Sequence, residues 1–396
     1  MKNPLRTLLE HGQSVWLDSL SRSLVTSGNL HRLIEQDGLR GLTSNPSIFA
    51  HAIAETGEYQ DMLEAPESKT LLAKALYERI AARDIRDAAD VLRPVYEATQ
   101  GRDGYVSLEV SPYLAHHTGA TVEEARRLWR TVGRENLMIK VPATPEGIPA
   151  VQQLIGEGLN VNVTLLFDPA IYEKVSEAYL SGLESLVRHG GDPTRVASVA
   201  SFFVSRIDTA VEAWIGERMR SFPGPEARAA MQSLRGKVAC ANARKAYQRY
   251  LATMHGQRWL DLSRLGARSQ RLLWASTGTK NPEYRDVLYV EELVGPDTVN
   301  TMPPATLAAF RDHGQVRNSL MEDSEEASRI MDQVARVGLP FQEMTERLLG
   351  DGIQQFAEAF DKLLEMAGRF ALPPSQDSAE HLRVRLIKEL YQGKQH

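Results

Sequence analysis

Residues Asn136–Thr144, with the sequence NLMIKVPAT, hold the pattern that decides the fold. In a β-strand, where successive side chains point to opposite faces, Lys140 lies opposite an aliphatic trio. That trio consists of Leu137, Ile139 and Val141. Pro142, which cannot donate a hydrogen bond to a neighbouring strand, then ends the strand. The stretch is typical of a buried strand that carries one ionisable side chain.

Lys140 is the residue of this strand that needs a chemical explanation. An ammonium group with apolar neighbours on both sides loses solvation and gives up its proton more easily. A neutral amine attacks carbonyl carbons, and the resulting Schiff base is an electron sink for breaking or making the adjacent carbon–carbon bond. The alternative, commoner for a single lysine, is a side chain that extends from the strand end into water. The rest of the chain has to decide between the two.

Composition excludes several classes of protein. The 396 residues include 46 Lys and Arg against 51 Asp and Glu, a net charge of −5, so bulk charge predicts neither a nucleic-acid partner nor a membrane surface. The single cysteine, Cys240, excludes an intrachain disulfide and a zinc site of several cysteines, and it fits a reducing cytosol. No segment has the apolar pattern of a signal sequence or a membrane span. We therefore expect a cytoplasmic protein.

Eight strand-like runs alternate with helical patterns, which predicts a parallel (β/α)8 TIM barrel with additional C-terminal helices. Besides the lysine strand, the runs are Ser14–Asp18, Leu39–Thr43, Tyr105–Val110, Asn160–Phe167, Val196–Ser201, Arg271–Ser276 and Asp297–Thr301. Among the helices, Ser68–Thr99 is expected to be cut in two by Asp84 and Pro94. Thr121–Glu124 is expected to be a capping box that opens the next helix.

The domain organisation follows from where the alternation stops. We expect residues 1–305 to form the barrel, with a helical insertion at about residues 55–103, and residues 306–396 to form helices packed on it. The C-terminal helical patterns are Ser324–Val337, Phe341–Met366 and Ser378–Gln392. We assign packing or interface roles to the insertion and to these helices, and expect a monomer or homodimer.

Polar residues collect at the carboxyl ends of the predicted strands, where a barrel of this kind places its chemistry. They are Asp18, Asn45, Glu109, Lys140, Asn162, Thr164, Ser201 and Ser276. Asn162 and Thr164, two residues apart, project to one side of their strand, and the same parity holds for Glu109. For any one of these residues, a satisfied structural role is the alternative. Their recurrence on strand after strand favours a shared polar site.

Glu109 and Asp18 are carboxylic acids that suit the chemistry of a reactive lysine. Schiff-base formation moves protons on and off the carbinolamine oxygen, and carbon–carbon cleavage removes a proton from a hydroxyl group, so two acid/base groups are needed. The alternative is that the carboxylates form ion pairs that keep Lys140 charged and unreactive. The amide and hydroxyl groups at neighbouring strand ends fit the hydroxyl groups of a sugar.

Four motifs, in this order and spacing, resemble the transaldolase family over residues about 10 to 305. They are TSNPSIF (Thr43–Phe49), SLEVSP (Ser107–Pro112), NLMIKVPAT (Asn136–Thr144) and NVNVTLLF (Asn160–Phe167). The resemblance implies a class I mechanism that needs neither metal nor cofactor. In it, the lysine captures the C2 carbonyl of a ketose phosphate, and a dihydroxyacetone unit is passed to an aldose phosphate.

The same resemblance implies a role for each matching residue. Lys140 is then the Schiff-base nucleophile, and Asp18 takes the proton from the C4 hydroxyl of the substrate. Glu109 and Thr164 handle a catalytic water. The dihydroxyacetone hydroxyl groups are held by Asn45, Asn162 and Ser201.

A serine–x–phenylalanine–x–x–arginine run is also implied after strand six, and SFFVSR supplies Ser201, Phe203 and Arg206. Arg206 is then the phosphate ligand, for which a planar bidentate donor is well suited. Phe203 matters because the related fructose-6-phosphate aldolases usually carry tyrosine at this position. The phenylalanine therefore favours a transferase.

The chain departs from the family pattern after strand seven and before Arg206. An arginine is usual where Ser276–Lys280 offers only Lys280, a point charge, so Lys280 is our second phosphate ligand, with a solvated loop lysine as the alternative. Ser276 is included among the substrate-binding residues. Ser205 stands where glycine is usual, which would reshape the loop before Arg206.

Three functions remain open from the sequence. The leading one is a transaldolase that interconverts sedoheptulose 7-phosphate plus glyceraldehyde 3-phosphate with erythrose 4-phosphate plus fructose 6-phosphate, in the non-oxidative pentose phosphate pathway. The second is an aldolase-type lyase that releases the three-carbon unit to water. The third is a barrel that binds sugar phosphates without chemistry, although such a protein would need no Lys140, Asp18 and Glu109 together.

Overall fold

The predicted barrel is present: eight parallel strands close in sequence order, each paired with the next and the last with the first. The computed structural model describes residues 3–55, 57–221, 224–322 and 324–372. The strands are β1 (Gln13–Asp18), β2 (Gly41–Thr43), β3 (Tyr105–Glu109), β4 (Leu137–Pro142), β5 (Val161–Leu166), β6 (Ser198–Phe203), β7 (Arg271–Ala275) and β8 (Thr298–Met302). The (β/α)8 fold class is therefore confirmed.

The α-helices alternate with these strands and continue beyond the last one. They are α1 (Pro4–Glu10), α2 (Arg22–Thr26), α3 (Asn29–Arg32), α4 (Pro46–Glu55), α5 (Gln60–Leu63), α6 (Ala73–Ala98), α7 (Thr118–Val132), α8 (Gly147–Gly156), α9 (Pro169–Arg188), α10 (Ser205–Met219), α11 (Pro225–Gln232), α12 (Val238–Met254), α13 (Gln257–Arg264), α14 (Leu288–Glu291), α15 (Pro304–His313), α16 (Ser324–Arg336) and α17 (Phe341–Gly368). Of the helices in the described ranges, none combines the length and the apolar character that crossing a membrane requires.

Backbone register brings polar side chains of three neighbouring strands close together. Glu109 on β3 pairs with Lys140 on β4, and Lys140 pairs in turn with Asn162 on β5. Two residues further along, Pro142 pairs with Thr164. These pairings occur at the carboxyl ends of the strands, so the fold gathers Glu109, Lys140, Asn162 and Thr164 without any long loop.

Helix α17 packs against α4, α6 and the end of β5. Gly352 makes the approach to β5 possible, because a Cβ atom there would lie 2.8 Å from Leu165 Cδ2. Leu165 itself has a positive φ of 59°, at a shift of register between β5 and β6. The predicted C-terminal helices at residues 324–337 and 341–366 correspond to α16 and α17, whereas the helix predicted at residues 378–392 lies outside the described residues.

The predicted break within residues 68–99 is wrong, because α6 runs unbroken past Asp84 and Pro94. Asp84 is buried, and its carboxylate accepts a hydrogen bond from Tyr59 Oη (2.6 Å), so it serves a tertiary contact. Pro94 removes one backbone hydrogen bond from the helix. Burial of the apolar face of α6 offsets that loss, and this face includes Leu76, Ile80, Ile85 and Leu92.

The predicted capping box is also wrong, because α7 already begins at Thr118. Thr121 Oγ1 donates a hydrogen bond to the carbonyl oxygen of Leu114 (2.9 Å). Glu124 accepts one from the backbone N–H of Ser111 (2.7 Å). Both side chains therefore tie α7 to the segment that follows β3.

Two predicted strand limits need correction. Strand six continues past Ser201 to Phe203, so the phenylalanine belongs to β6 itself. The second strand begins at Gly41, because the backbone N–H of Leu39 is used in a hydrogen bond to the carbonyl oxygen of Leu33 (3.1 Å).

Candidate active site

A cavity of about 180 Å³ lies at the carboxyl end of the barrel. It is lined by Asp18, Thr43, Asn45, Lys140, Thr164, Ser201, Phe203, Arg206, Ala275, Ser276, Gly278, Lys280, Thr301, Pro303 and Phe356. The lining includes every predicted site residue except Glu109 and Asn162. These two are buried beside it, in contact with Lys140 and Ser201. The structure therefore assembles residues from distant parts of the sequence into one site.

Lys140 is held by two oxygen atoms where its strand reaches the cavity. Its Nζ lies 3.2 Å from Glu109 Oε2, and only 6% of each side chain is exposed. Nζ also donates a hydrogen bond to the carbonyl oxygen of Ser44 (2.9 Å). The lysine is thus neither solvated nor distant from the carboxylates, which removes the interpretation as a lysine that extends into water.

Burial raises the pKa of both carboxyl groups of the site, Asp18 and Glu109, above the usual values. The charge of Lys140 opposes this rise in both groups, and the charge of Asp18 adds to it in Glu109. The raised pKa values favour the protonated form of each group more than in an exposed carboxylate, so each can give a proton as well as take one, as acid/base catalysis requires. Within the described ranges, no three His, Cys, Asp or Glu side chains are grouped as a metal ion would need.

Thr43 holds Asp18, Thr301 in turn holds Thr43, and the sequence analysis missed both threonines. Thr43 Oγ1 donates a hydrogen bond to Asp18 Oδ1 (2.6 Å), and it lies 2.7 Å from Thr301 Oγ1. The hydrogen bond from Thr43 lowers the pKa of Asp18 and so works against burial. Thr301 lies in β8, one residue before its end, and examining the end of the eighth strand as we did the other seven would have found it.

A buried hydrogen-bond chain orients the hydroxyl and amide groups on β5 and β6. Ser201 Oγ donates to Asn162 Oδ1 (2.6 Å), and Asn162 Nδ2 donates to Ser107 Oγ (3.1 Å). Asn45 Oδ1 accepts from the backbone N–H of Ile48 (3.0 Å) at the start of α4. Each amide is therefore fixed in one orientation before any ligand binds.

Thr164 stands out because its hydroxyl group is not satisfied. Thr164 Oγ1 is buried and has no hydrogen-bond partner among the described residues. A buried hydroxyl without a partner carries a free-energy cost. Because this side chain lines the cavity, a bound water or substrate oxygen would satisfy it.

Besides Lys140, the cavity is lined by the cations Arg206 and Lys280. Arg206 follows β6, and its guanidinium lies 5.4 Å from the centre of the Phe203 ring. Burial lowers the pKa of Arg206, and the charge of Asp351 opposes that shift. Lys280 is exposed at the rim. Two positive charges beside a hydroxyl-lined cavity suit a phosphorylated polyol.

Ser205, where the sequence departs from the family pattern, links the strand ends on this side. Its Oγ lies 2.9 Å from Ser276 Oγ, and its backbone N–H donates to the carbonyl oxygen of Ser276 (3.0 Å). Ser276 has a positive φ of 56° and lies just beyond β7. The two serines therefore fix the turn that leads to Lys280.

Phe356, from α17, is the lining residue that lies farthest along the chain from the barrel strands. Its ring centre lies 5.9 Å from Lys140 Nζ. The sequence analysis did not find it, because a phenylalanine in a helical pattern is normally a packing residue. Its place in the site depends on the docking of α17.

The chain matches known proteins over almost its whole length. The model of the family described as Transaldolase/Fructose-6-phosphate aldolase matches residues 15–367, so the match extends beyond the barrel, through most of α17.

Curated relatives named transaldolase come from several bacteria. That of Trichodesmium erythraeum is 45% identical over 91% of this chain and 96% of its own length. Those of Thiobacillus denitrificans and Thermobifida fusca are 47% and 48% identical, over 90% and 92% of this chain and 97% of each relative. The predicted resemblance is confirmed, and the chain belongs to the transaldolase/fructose-6-phosphate aldolase family.

Proposed function

We propose that this chain is a transaldolase that transfers a dihydroxyacetone unit from a ketose phosphate to an aldose phosphate. The donors are sedoheptulose 7-phosphate or fructose 6-phosphate, and the acceptors are glyceraldehyde 3-phosphate or erythrose 4-phosphate. One observation carries the proposal: Lys140 is buried against Glu109 where it meets a cavity that also contains Asp18. The relatives named transaldolase support the same activity.

The first half of the reaction forms the Schiff base. The amine of Lys140 attacks the C2 carbonyl carbon of the donor, and the carbinolamine oxygen then takes up protons and leaves as water. Glu109 lies 3.2 Å from the attacking nitrogen, so it is placed to move these protons. Thr164, with its unsatisfied hydroxyl group, binds the water through which they pass.

The second half breaks and remakes a carbon–carbon bond. Asp18 takes the proton from the C4 hydroxyl, and the C3–C4 bond breaks. The aldose leaves, while the electrons of the broken bond stay on the three-carbon unit bound to Lys140. Carbon C3 then attacks the acceptor aldehyde, and water releases the new ketose. Asn45, Asn162 and Ser201 hold the hydroxyl groups, and Ser276, Arg206 and Lys280 bind the phosphate end.

The fructose-6-phosphate aldolase reaction is the second candidate, because the family description covers both activities. Phe203 favours the transferase. Its ring packs 5.3 Å from the ring of Phe167 and close to Arg206, and it has no hydroxyl group to donate a proton or hold a water. A tyrosine at this position could do both.

Borohydride trapping tests the mechanism directly. The protein is incubated with fructose 6-phosphate, reduced, digested and analysed by mass spectrometry. A reduced three-carbon adduct is expected on the peptide that bears Lys140 and should be absent from Lys140→Ala. A folded protein that yields no adduct would leave binding without chemistry as the better proposal.

A coupled assay with and without erythrose 4-phosphate then separates the two enzyme activities. A transferase consumes fructose 6-phosphate much faster when the acceptor is present, whereas a lyase consumes it equally fast in either case. Consumption at equal rates in both assays would replace our proposal by the lyase.

The cellular setting remains a proposal as well. We infer that the protein works in the cytoplasm, in the non-oxidative pentose phosphate pathway, as a monomer or homodimer. The division into a barrel of residues 1–305 and C-terminal helices of residues 306–396 also remains a prediction. The role of α17 decides how far such a division has functional meaning.

A further inference from the structure

Phe356 places an apolar ring beside the proposed nucleophile. The ring centre lies 5.9 Å from Lys140 Nζ, and the ring lines the cavity although only 6% of the residue is exposed. Polar side chains, those of Asp18, Asn45, Thr164 and Ser201, also line the cavity. The amine therefore has an aromatic neighbour within 5.9 Å, and that neighbour comes from α17.

The ring is held by helix packing and not by a mobile loop. Gly352, one turn before Phe356, allows α17 to approach Leu165 at the end of β5. One turn after it, the ring of Phe360 packs edge-on against the ring of Tyr77 on α6 (5.6 Å between ring centres). Contacts on both sides therefore fix the distance between the Phe356 ring and Lys140.

We propose that Phe356 is a specificity-determining residue that protects the three-carbon unit bound to Lys140 from water and so favours transfer over release. The inference rests on the proposed transaldolase function. A carbon atom bonded to Nζ lies within about 1.5 Å of it, so C2 of the bound unit lies in the part of the cavity that the ring lines. The ring that α17 supplies is thus near the reacting carbon atoms.

The bound unit has two fates after the C3–C4 bond has broken. In transfer, C3 attacks the carbonyl carbon of the acceptor, a C–C bond forms, and the aldehyde oxygen takes a proton. In release, C3 takes a proton from water, a second water adds to C2, and the C2–N bond breaks, giving dihydroxyacetone and the free amine of Lys140. No oxidant or reductant enters either path, so only access of water and of the acceptor distinguishes them.

The ring acts against the step that only release needs. An apolar surface beside the bound unit hinders access of the water that gives its proton to C3, whereas hydrolysis of the C2–N bond ends both paths. Arg206 and Lys280 line the same cavity, where they can bind phosphorylated acceptors.

The test compares Phe356→Leu with the wild type. With fructose 6-phosphate as donor, dihydroxyacetone release is measured without acceptor, and sedoheptulose 7-phosphate formation is measured with erythrose 4-phosphate present. We expect the ratio of release to transfer to rise about fivefold in Phe356→Leu. An unchanged ratio would overturn the inference.

A control variant separates this effect from loss of stability. Leu363→Ala also truncates a buried apolar side chain of α17, and Leu363 does not line the cavity. Its ratio should equal that of the wild type, and an equal rise in both variants would contradict a specific role of Phe356. If Phe356→Leu does not fold, Phe356→Met, which also lacks the ring and is smaller than phenylalanine, carries the same expectation.

Failure of the proposed function would be recognised differently. A wild-type protein that forms no sedoheptulose 7-phosphate and no borohydride adduct would contradict the transaldolase itself. A wild type that transfers, with a variant of unchanged ratio, would contradict only the role of Phe356.

Discussion

Two buried ion pairs lie at opposite ends of the same barrel, and they differ in how many of their oxygen atoms accept hydrogen bonds. At the amino end, Asp103 accepts hydrogen bonds from Arg271 (2.9 Å), Trp16 Nε1 (3.2 Å) and Ser14 Oγ (2.7 Å). Arg271 also donates to Ser14 Oγ (2.8 Å) and to the carbonyl oxygen of Arg102 (2.6 Å). We call this cluster, Asp103, Arg271, Ser14 and Trp16, the floor.

The pair at the carboxyl end is left incomplete. Glu109 Oε2 lies 3.2 Å from Lys140 Nζ, without hydrogen-bond geometry to any described residue. Thr164 Oγ1 nearby is also unsatisfied within the same ranges. A saturated polar cluster supports a structure, whereas an unsaturated one beside a cavity can bind a substrate. We call Lys140 and Glu109 the open pair. The difference predicts that substitutions at the floor change stability and that substitutions at the open pair change activity.

The largest effect is expected for Lys140→Met, which keeps the length of the side chain without its amine. Transfer activity should fall by about 10⁴-fold or more, because no other group supplies the nucleophile. The folded structure should persist, because the carboxyl groups left behind already have raised pKa values and can become protonated. Steady-state kinetics and thermal unfolding measure the two effects.

Lys74→Met is the matched control for that experiment. Lys74 is also largely buried, and it forms ion pairs with Glu78 (2.9 Å) and Glu124 (2.5 Å), neither of which lines the cavity. Its replacement should reduce stability and leave kcat within about threefold of the wild type. Comparable losses of activity in both variants would contradict the special role of Lys140.

At the floor, Asp103→Ala should lower the free energy of unfolding by about 3–5 kcal/mol, because it leaves the Arg271 charge buried without a partner. The kcat of the folded protein should stay close to that of the wild type. Urea denaturation and kinetics at low temperature measure both. The double variant Asp103→Ala with Arg271→Met should recover part of the loss, since it removes the unpaired charge. A fall of kcat without loss of stability would break the comparison.

The polar site could be predicted because strand parity and strand ends are visible in the sequence. Lys140, Glu109 and Thr164 each lie at or near the carboxyl end of a strand, and the order of the strands in a closed barrel follows the chain. The same rule, applied to the eighth strand, also predicts Thr301. Phe356 could not be predicted in this way, because its position depends on how α17 packs against α4 and α6.

Local signals failed where tertiary contacts outweighed them. Pro94 and Asp84 predicted a break in a helix that burial of its apolar face keeps whole. Thr121 and Glu124 have the spacing of a capping box, but their hydrogen bonds go to the segment after β3. In both cases the partner lies outside the window that sequence rules examine.

A smaller effect tests what positions Asp18 at the carboxyl end of the barrel. In Thr43→Val, Asp18 loses the hydrogen bond that lowers its pKa, so its pKa should rise further. Asp18 has to be ionised to take a proton. The acid limb of the pH profile of kcat/KM should therefore move to higher pH, with roughly tenfold less activity on that limb. Thr43→Ser, which keeps the hydroxyl group, should restore the profile, and a loss that is equal at every pH would contradict the role of this hydrogen bond.

The smallest effect is expected at the rim of the cavity, for Lys280→Met. Lys280 is exposed, and water and salt screen its charge, so KM for fructose 6-phosphate should rise only about two- to fivefold with kcat unchanged. Unphosphorylated fructose should show no change, because the lost contact is to phosphate. Arg206→Met, which removes a partly buried, bidentate cation, should raise KM more. An unchanged KM in Lys280→Met would make Lys280 a solvated loop residue. Of the two predicted phosphate ligands, Arg206 alone would then bind the phosphate.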